Sequence, residues 1–170
     1  MKYIIKTPGR TGSHIITSYL RNNNIEYVHC QEAWLPDDPS NWVFINSKRH
    51  NWWDMVCSRL VTSYTNEYGP YTTQDLKIDT DIEYLLDSAA YTKFRYDLYT
   101  KQQLHNPWGK SVTLYYEDIL SDVDILKNIV YADTSVAIDP YYTSPYKFED
   151  VINNYSNLKK QFEETTKGVL

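Results

Sequence analysis

Short apolar segments alternate with longer segments of helical periodicity along this chain, and that alternation limits the possible folds more than any other feature. The predicted strands are residues 3–6, 26–29, 42–45 and 112–116, and the predicted helices are 13–21, 52–64, 82–103 and 147–164, with helical turns at 119 and 123–130. Strands and helices that alternate at these lengths form right-handed crossovers between parallel neighbours. The sequence therefore predicts an α/β fold: a single three-layer domain over residues 1–170, with a mostly parallel sheet flanked by helices.

The composition and charge of the chain restrict its class and its partners. With 170 residues, the chain can bury one core but is short for two domains, and a hydrophobic share of 42% is typical of a globular protein. The net charge of −5 argues against broad attraction to nucleic acid or to anionic membranes. Any site for an anion must therefore be local.

The cysteines and the apolar runs bear on the cellular compartment. Cys30 and Cys57 are the only cysteines, and they lack the spacing of a metal site, which favours a reducing compartment. Only three apolar or aromatic residues separate Lys2 from Lys6, which argues against a signal peptide, and no apolar run approaches the length of a transmembrane helix. We therefore expect a cytoplasmic protein with no membrane and no nucleic acid among its partners.

The segment between the first strand and the first helix reads Thr-Pro-Gly-Arg-Thr-Gly-Ser, over residues 7–13. A tight glycine loop that leads from a strand into a helix turns backbone N–H groups toward an anion. Gly9 and Gly12 permit strained or closely packed backbone, and Ser13 can cap the helix. Arg10 adds a permanent charge that suits phosphate or sulfate oxygens. The sequence predicts an anion-binding loop here, with an ordinary strand-to-helix turn as the alternative.

A second group of basic residues follows the predicted strand at 42–45. Arg49 lies just after this strand with Lys48 and His50 on either side, and Ser58 falls about two turns inside the next helix. An arginine fork and a serine hydroxyl can hold one phosphate group from two directions. The alternative is a solvated basic turn before an amphipathic helix.

Together these segments resemble the sulfotransferase family, whose members use 3′-phosphoadenosine 5′-phosphosulfate (PAPS). Residues 10–13 match the core of the family's 5′-phosphosulfate loop, although Gly9 is inserted between the proline and the basic residue. Arg49 and Ser58 match its 3′-phosphate motif, but their separation is nine residues where eight is commoner in the family, which leaves Lys48 or His50 as the alternative to Arg49. Residues 114–120 are similar to the family's Arg-Tyr-Glu-Asp-Leu segment, and residues 148–158 to its closing helix.

The resemblance implies a sulfotransferase of P-loop-like topology that takes PAPS as its co-substrate and needs no metal. The acceptor would be a hydroxyl or an amine on a small molecule or a glycan. Arg10 would also stabilise the charge that develops on the leaving phosphate. The nucleotide-binding residues implied by the motifs are Arg10, Thr11, Gly12, Ser13, His14, Arg49 and Ser58.

No motif fixes the general base that an acceptor hydroxyl requires. Glu32 is the first candidate, because the loop after the second strand should overhang the same strand ends as the glycine loop. His29 is the second candidate and His50 the third. Asp118 is expected to cap the helix that follows the strand at 112–116 and to have a structural role.

Two other functions stay open at this point. One is a P-loop-type nucleotide or phosphoryl transferase such as a small kinase, which is disfavoured because the lysine of the G-x-x-x-x-G-K-[ST] loop and an apolar strand ending in a magnesium-binding Asp are both missing. The other is a non-catalytic descendant of the fold that binds a partner through the tyrosine-rich stretch at 64–71. The acceptor and the oligomeric state cannot be read from the sequence.

Overall fold

The computed structural model describes residues 2–30, 36–65, 76–104, 110–130 and 147–170. Its helices and strands, in chain order, are β1 (Lys2–Lys6), α1 (Ser13–Asn22), β2 (Tyr27–Cys30), a 3₁₀ turn (Pro39–Asn41), β3 (Trp42–Lys48), α2 (Trp52–Thr65), α3 (Ile82–Leu104), β4 (Lys110–Tyr115), α4 (Tyr116–Ser121), α5 (Ile125–Val130), α6 (Phe148–Val151) and α7 (Tyr155–Thr166).

The chain divides into two compact units. We call one the sheet unit, which comprises Met1–His50 and Arg95–Ile138, and the other the helical unit, which comprises Asn51–Phe94 and Asp139–Leu170. The expectation of a single domain over residues 1–170 stays a prediction.

The sheet unit contains a four-stranded sheet in the order β2-β1-β3-β4, in which all neighbouring strands are parallel. Ile5 of β1 pairs with His29 of β2 on one side and with Ile45 of β3 on the other. This sheet, flanked by helices, confirms the predicted α/β fold. β3 is longer than predicted, because Asn46, Ser47 and Lys48 continue the pairing with β4 although their side chains are polar.

Both faces of the sheet are covered by protein. Tyr3, Ile4 and Ile5 follow one another along β1, and each is at most 3% exposed. Since successive side chains of a strand point to opposite faces, burial of all three requires cover on both sides. This arrangement is consistent with a three-layer α/β domain.

Helix α1 follows from its apolar spacing and its ends. Ile15, Ile16, Tyr19 and Leu20 are buried, and the helix contacts β1, β2 and α5. The chain leaves the helix at Asn23, whose side-chain amide donates to the Tyr19 carbonyl at 2.8 Å. The Asn23 backbone N–H donates to the same carbonyl at 3.2 Å, so both groups of one residue bond to the end of the helix.

The helical unit has its own apolar core, formed mainly by α2, α3, α6 and α7. Its buried members are Trp53, Met55, Val56, Cys57, Leu60, Val61, Ile78, Leu85, Ala89, Val151, Ile152, Leu158 and Phe162. Asn51 starts α2, because its side-chain oxygen accepts a hydrogen bond from the Asp54 amide at 3.0 Å. None of the described helices is long and apolar enough to cross a membrane.

The prediction of one continuous helix over residues 147–164 is wrong. Ile152 forms a parallel backbone bridge with Ile78, with hydrogen bonds of 2.8 Å from Ile78 N–H to the Val151 carbonyl and 2.9 Å from Asn153 N–H to the Ile78 carbonyl. Asn154 then takes a left-handed conformation with φ of 55° before α7 begins. The bridge uses backbone groups that a continuous helix would need, and the segment is therefore divided into α6 and α7.

Candidate functional site

The carboxyl ends of β1 and β3 carry the two predicted anion-binding segments. The connection from β1 leads to β2 on one side, and the connection from β3 leads to β4 on the other side, so the chain leaves these two adjacent strands in opposite directions. In open parallel sheets, ligands bind in the crevice outside the carboxyl ends of the strands at such a point. Residues 7–12 follow β1 and Arg49 follows β3, so both segments begin at the strand ends that border this crevice.

The loop between β1 and α1 has an unusual backbone. Gly9, Arg10 and Gly12 have φ of 92°, 60° and 74°. Arg10 is the informative residue, because the left-handed conformation destabilises a residue with a side chain by on the order of 1 kcal/mol. Such a conformation persists where surrounding contacts hold it. Gly12 has a second requirement: a Cβ atom there would overlap the ring of Tyr116. The glycine is therefore needed both for conformation and for space.

A chain of hydroxyl groups holds the loop in this conformation. The Gly9 amide donates to Thr7 Oγ1 at 3.0 Å, Thr7 Oγ1 lies 2.7 Å from Thr11 Oγ1, and Thr11 Oγ1 lies 2.8 Å from Ser47 Oγ. Ser47 Oγ donates to the Thr11 carbonyl at 2.6 Å. The three side chains are buried. The end of β3 thus holds the loop that follows β1.

The start of the loop is held by residues 95–99 of α3. Tyr99 donates from its hydroxyl to the Thr7 carbonyl at 3.1 Å, and Arg95 donates to the Tyr99 oxygen from Nε at 3.1 Å and from Nη2 at 2.8 Å. Lys6, the last residue of β1, is only 1% exposed, and its ammonium lies 5.8 Å from the centre of the Tyr99 ring. A lysine side chain is thus buried next to the loop.

His14 and His29 lie beside the loop and contact each other. Their ring centres are 5.8 Å apart in an edge-to-face arrangement. Partial burial, followed by the positive charges of Arg10 and Arg21, lowers the pKa of His14 below its ordinary value. Partial burial, followed by the charge of His14, lowers the pKa of His29. Both imidazoles are therefore neutral at pH 7 and able to accept a proton.

Arg49 is held by the segment that joins β4 to α4. Its guanidinium group lies 4.6 Å from the centre of the Tyr116 ring, and its Nε is 3.4 Å from Glu117 Oε1. The same Tyr116 ring borders Gly12. Stacking on an aromatic face directs the N–H groups of a guanidinium sideways, in its own plane. One tyrosine thus touches both predicted anion-binding segments.

His50 has a structural setting. Its backbone N–H donates to Glu117 Oε2 at 3.0 Å, and its ring stacks on Tyr115 with a centre-to-centre distance of 3.8 Å. Its Nε2 lies 3.6 Å from Asp118 Oδ1. Asp118 does not cap α4 as expected: Tyr115 precedes the helix, and Asp118 lies inside its first turn.

The structure brings most of the predicted site residues to one end of the sheet. These are Arg10, Thr11, Gly12, Ser13, His14, His29 and Arg49, all within the sheet unit. Ser58 belongs to α2 in the helical unit, where it is buried and its carbonyl accepts a hydrogen bond from Thr62 at 2.9 Å. Glu32, the first candidate for the base, lies outside the described residues.

Sequence reasoning did not identify three residues that shape this site. Lys6 was expected only to end a strand, and Ser47 and Tyr99 were not expected to touch the loop at all. Ser47 and Tyr99 lie 36 and 92 residues from their loop partners along the chain. A polar residue at the carboxyl end of a strand, as at Lys6 and Ser47, is the one signal that could have pointed to them.

Among the residues described, no group of three or more His, Cys, Asp or Glu side chains is placed to hold a metal ion. In comparisons with known proteins, no family model, no curated protein and no solved structure matches this chain.

Proposed function

We propose that this protein is a sulfotransferase of P-loop-like topology, which moves a sulfuryl group from PAPS to a hydroxyl or amine acceptor. The observation that carries the proposal is the position of Arg10 and Arg49: they follow the adjacent strands β1 and β3 at the crevice where parallel sheets bind ligands. A nucleotide with phosphate groups at both ends of its ribose suits two such cationic segments.

The 5′-phosphosulfate would bind the loop between β1 and α1. Ser13 does not cap α1 as expected: Gly12 precedes the helix, no side chain that the structure describes caps this end, and no acidic residue lies in the first turn. Its first N–H groups and its dipole favour an anion, and the guanidinium group of Arg10 adds a positive charge nearby. Arg49 would bind the 3′-phosphate.

The proposed reaction breaks the bond between sulfur and the bridging phosphate oxygen and forms a bond between sulfur and the acceptor oxygen or nitrogen. The acceptor proton passes to a base, and adenosine 3′,5′-bisphosphate leaves. Negative charge grows on the bridging oxygen, where a fixed guanidinium such as Arg10 stabilises it most. His29 is a candidate base because its imidazole is neutral at pH 7, and Glu32 remains the other candidate.

Nucleotide binding gives the first test. We expect adenosine 3′,5′-bisphosphate to raise the melting temperature more than ATP with Mg²⁺ does, and Arg49→Ala to reduce that rise. Lys127→Ala is a control for the loss of one positive charge, because Lys127 pairs with Asp124 in the α5 region of the sheet unit. Preference for ATP with Mg²⁺ would point to a phosphoryl transferase, and indifference to both nucleotides would point to a binding protein.

Turnover gives the second test. Purified protein with ³⁵S-labelled PAPS and a panel of phenols, amines and sugars should release adenosine 3′,5′-bisphosphate in proportion to labelled acceptor. Arg10→Ala should lower kcat by at least tenfold, because the charge on the leaving oxygen would lose its fixed cation. Binding of the bisphosphate without any labelled acceptor would argue against catalysis and for a nucleotide-binding role alone.

A further inference from the structure

We infer that Ser47 is a positioning residue for the proposed anion loop: its hydroxyl holds Thr11, and through Thr11 the backbone N–H groups of the loop, in the binding conformation before any ligand arrives. The inference rests on the proposed function for the identity of the ligand. It concerns a residue that no motif marks and that contacts the loop from a different strand.

The direction of every hydrogen bond in the hydroxyl chain follows from counting protons. Ser47 Oγ gives its one proton to the Thr11 carbonyl at 2.6 Å. Its contact with Thr11 Oγ1 at 2.8 Å must therefore be donated by Thr11, and the 2.7 Å contact between Thr11 Oγ1 and Thr7 Oγ1 must be donated by Thr7. The Gly9 amide then donates to Thr7.

Within this series of hydroxyl groups, Ser47 is the residue that makes two hydrogen bonds to Thr11. It accepts from the Thr11 side chain and donates to the Thr11 carbonyl, so that it fixes both the side chain and the backbone of one loop residue. Thr7, Thr11 and Ser47 are each at most 1% exposed, so water cannot readily replace a missing partner. Removing the Ser47 hydroxyl leaves two buried groups of Thr11 unsatisfied.

The loop needs such support because its backbone is strained. Arg10, next to Thr11, has φ of 60°, and Gly12 on the other side has φ of 74°. Without Ser47, the loop can relax toward ordinary conformations, and the N–H groups that would bind the proposed anion would change direction. The ligand must then restore the strained conformation when it binds, and its affinity falls by the free energy that this change requires.

The test compares two adenosine nucleotides that differ only at the 5′ position. The affinity ratio of adenosine 3′,5′-bisphosphate to adenosine 3′-monophosphate, measured by titration calorimetry, reports what the loop contributes. We expect Ser47→Ala to lower this ratio about tenfold and Ser47→Thr, which keeps a hydroxyl, to hold it within about twofold. Ser47→Cys, which is nearly isosteric with a weak donor, replaces Ser47→Ala if that variant does not fold.

Thr92→Val is the matched control. Thr92 is also fully buried, and its hydroxyl also makes two hydrogen bonds, accepting from Arg59 at 2.8 Å and donating to the Ser88 carbonyl at 3.0 Å. It lies in the helical unit, outside the loop. A general loss of stability should appear in both variants, whereas a lower affinity ratio should appear only when Ser47 is changed.

Hydrogen exchange of the ligand-free protein tests the positioning separately. In Ser47→Ala, we expect the amides of residues 9–12 to exchange about tenfold faster, while those of β1 follow only the global change in stability. An unchanged affinity ratio would overturn the inference. If the wild type binds neither nucleotide, the proposed function fails, and the exchange of residues 9–12 alone then decides whether Ser47 holds the loop.

Discussion

Replacing Gly12 by alanine tests the geometry of the site most directly, because the added methyl group destabilises the fold in two ways that can be measured separately. The left-handed φ of 74° costs a residue with a side chain about 1 kcal/mol. The new Cβ would also overlap the Tyr116 ring, and overpacking of this kind costs roughly 1–3 kcal/mol. We therefore expect Gly12→Ala to lower the free energy of unfolding by about 2–4 kcal/mol.

The chain offers a matched control for the backbone cost alone. Gly9 has φ of 92° and Gly168 has φ of 80°, and neither has any atom within 4 Å of a built Cβ. Gly9→Ala and Gly168→Ala should each cost about 1 kcal/mol or less. Urea denaturation gives the unfolding free energies, with the slope of the transition as a check that the unfolded state has not changed.

A double mutant isolates the overlap. In a Tyr116→Ala background the ring is gone, so Gly12→Ala should cost only the backbone strain, and the difference between the two backgrounds should be roughly 1–3 kcal/mol. Displacing the ring also moves the surface on which Arg49 stacks at 4.6 Å, so Gly12→Ala should weaken nucleotide binding as well. If Gly12→Ala costs no more than Gly9→Ala, the contact between Gly12 and Tyr116 is refuted.

Two further predictions concern the histidine pair and the support of the loop. The pKa of His29 in the folded protein is lowered from its ordinary value of 6.5, because burial favours the neutral imidazole. This contribution to stability is therefore fully present above pH 6.5. The free energy of unfolding should fall as the pH drops from 6.5 toward the lowered pKa. His29→Gln should remove part of this pH dependence in urea denaturation, and an identical profile in the variant would contradict the assignment. Tyr99→Phe deletes the buried hydrogen bond to Thr7 and removes the oxygen to which Arg95 donates, and should cost about 1–3 kcal/mol. Tyr64→Phe, which removes a 2.8 Å bond from an exposed tyrosine to the Asp79 carbonyl, should cost less, and equal losses would argue against a buried bond at Tyr99.

The sequence predicts the fold where burial and local periodicity agree. Ile4 and Ile5 form a strand because both faces of the sheet take apolar side chains, and the prediction is confirmed there. The extension of β3 through Asn46 and Ser47 is missed, since polar side chains rarely mark a buried strand. Here the backbone pairing with β4 continues the strand, and Ser47 is held further by its hydrogen bonds to Thr11. The break before α7 is missed because Val151 and Ile152 fit a helical stripe, whereas the bridge to Ile78 comes from a distant part of the chain.

The site could be predicted in part for the same reason. Arg10 and Arg49 stand next to strand ends, and the rule that ligands bind at those ends is local enough to apply to a sequence. The contact of His14 with His29 depends on the register that pairs Ile5 with His29, and no composition or spacing encodes a register. The support given by Ser47 depends on a hydroxyl 36 residues from Thr11, which only the folded chain brings into reach.

The two-residue backbone bridge between Ile78 and Ile152 has a practical consequence for anyone who shortens this chain. A truncation at residue 147 would remove Leu158 and Phe162 from their apolar cluster and would also strip the Ile78 amide and carbonyl of their partners. Residues 148–166 are thus an integral part of the packing and not a trimmable tail. Shorter versions of the protein should therefore keep them.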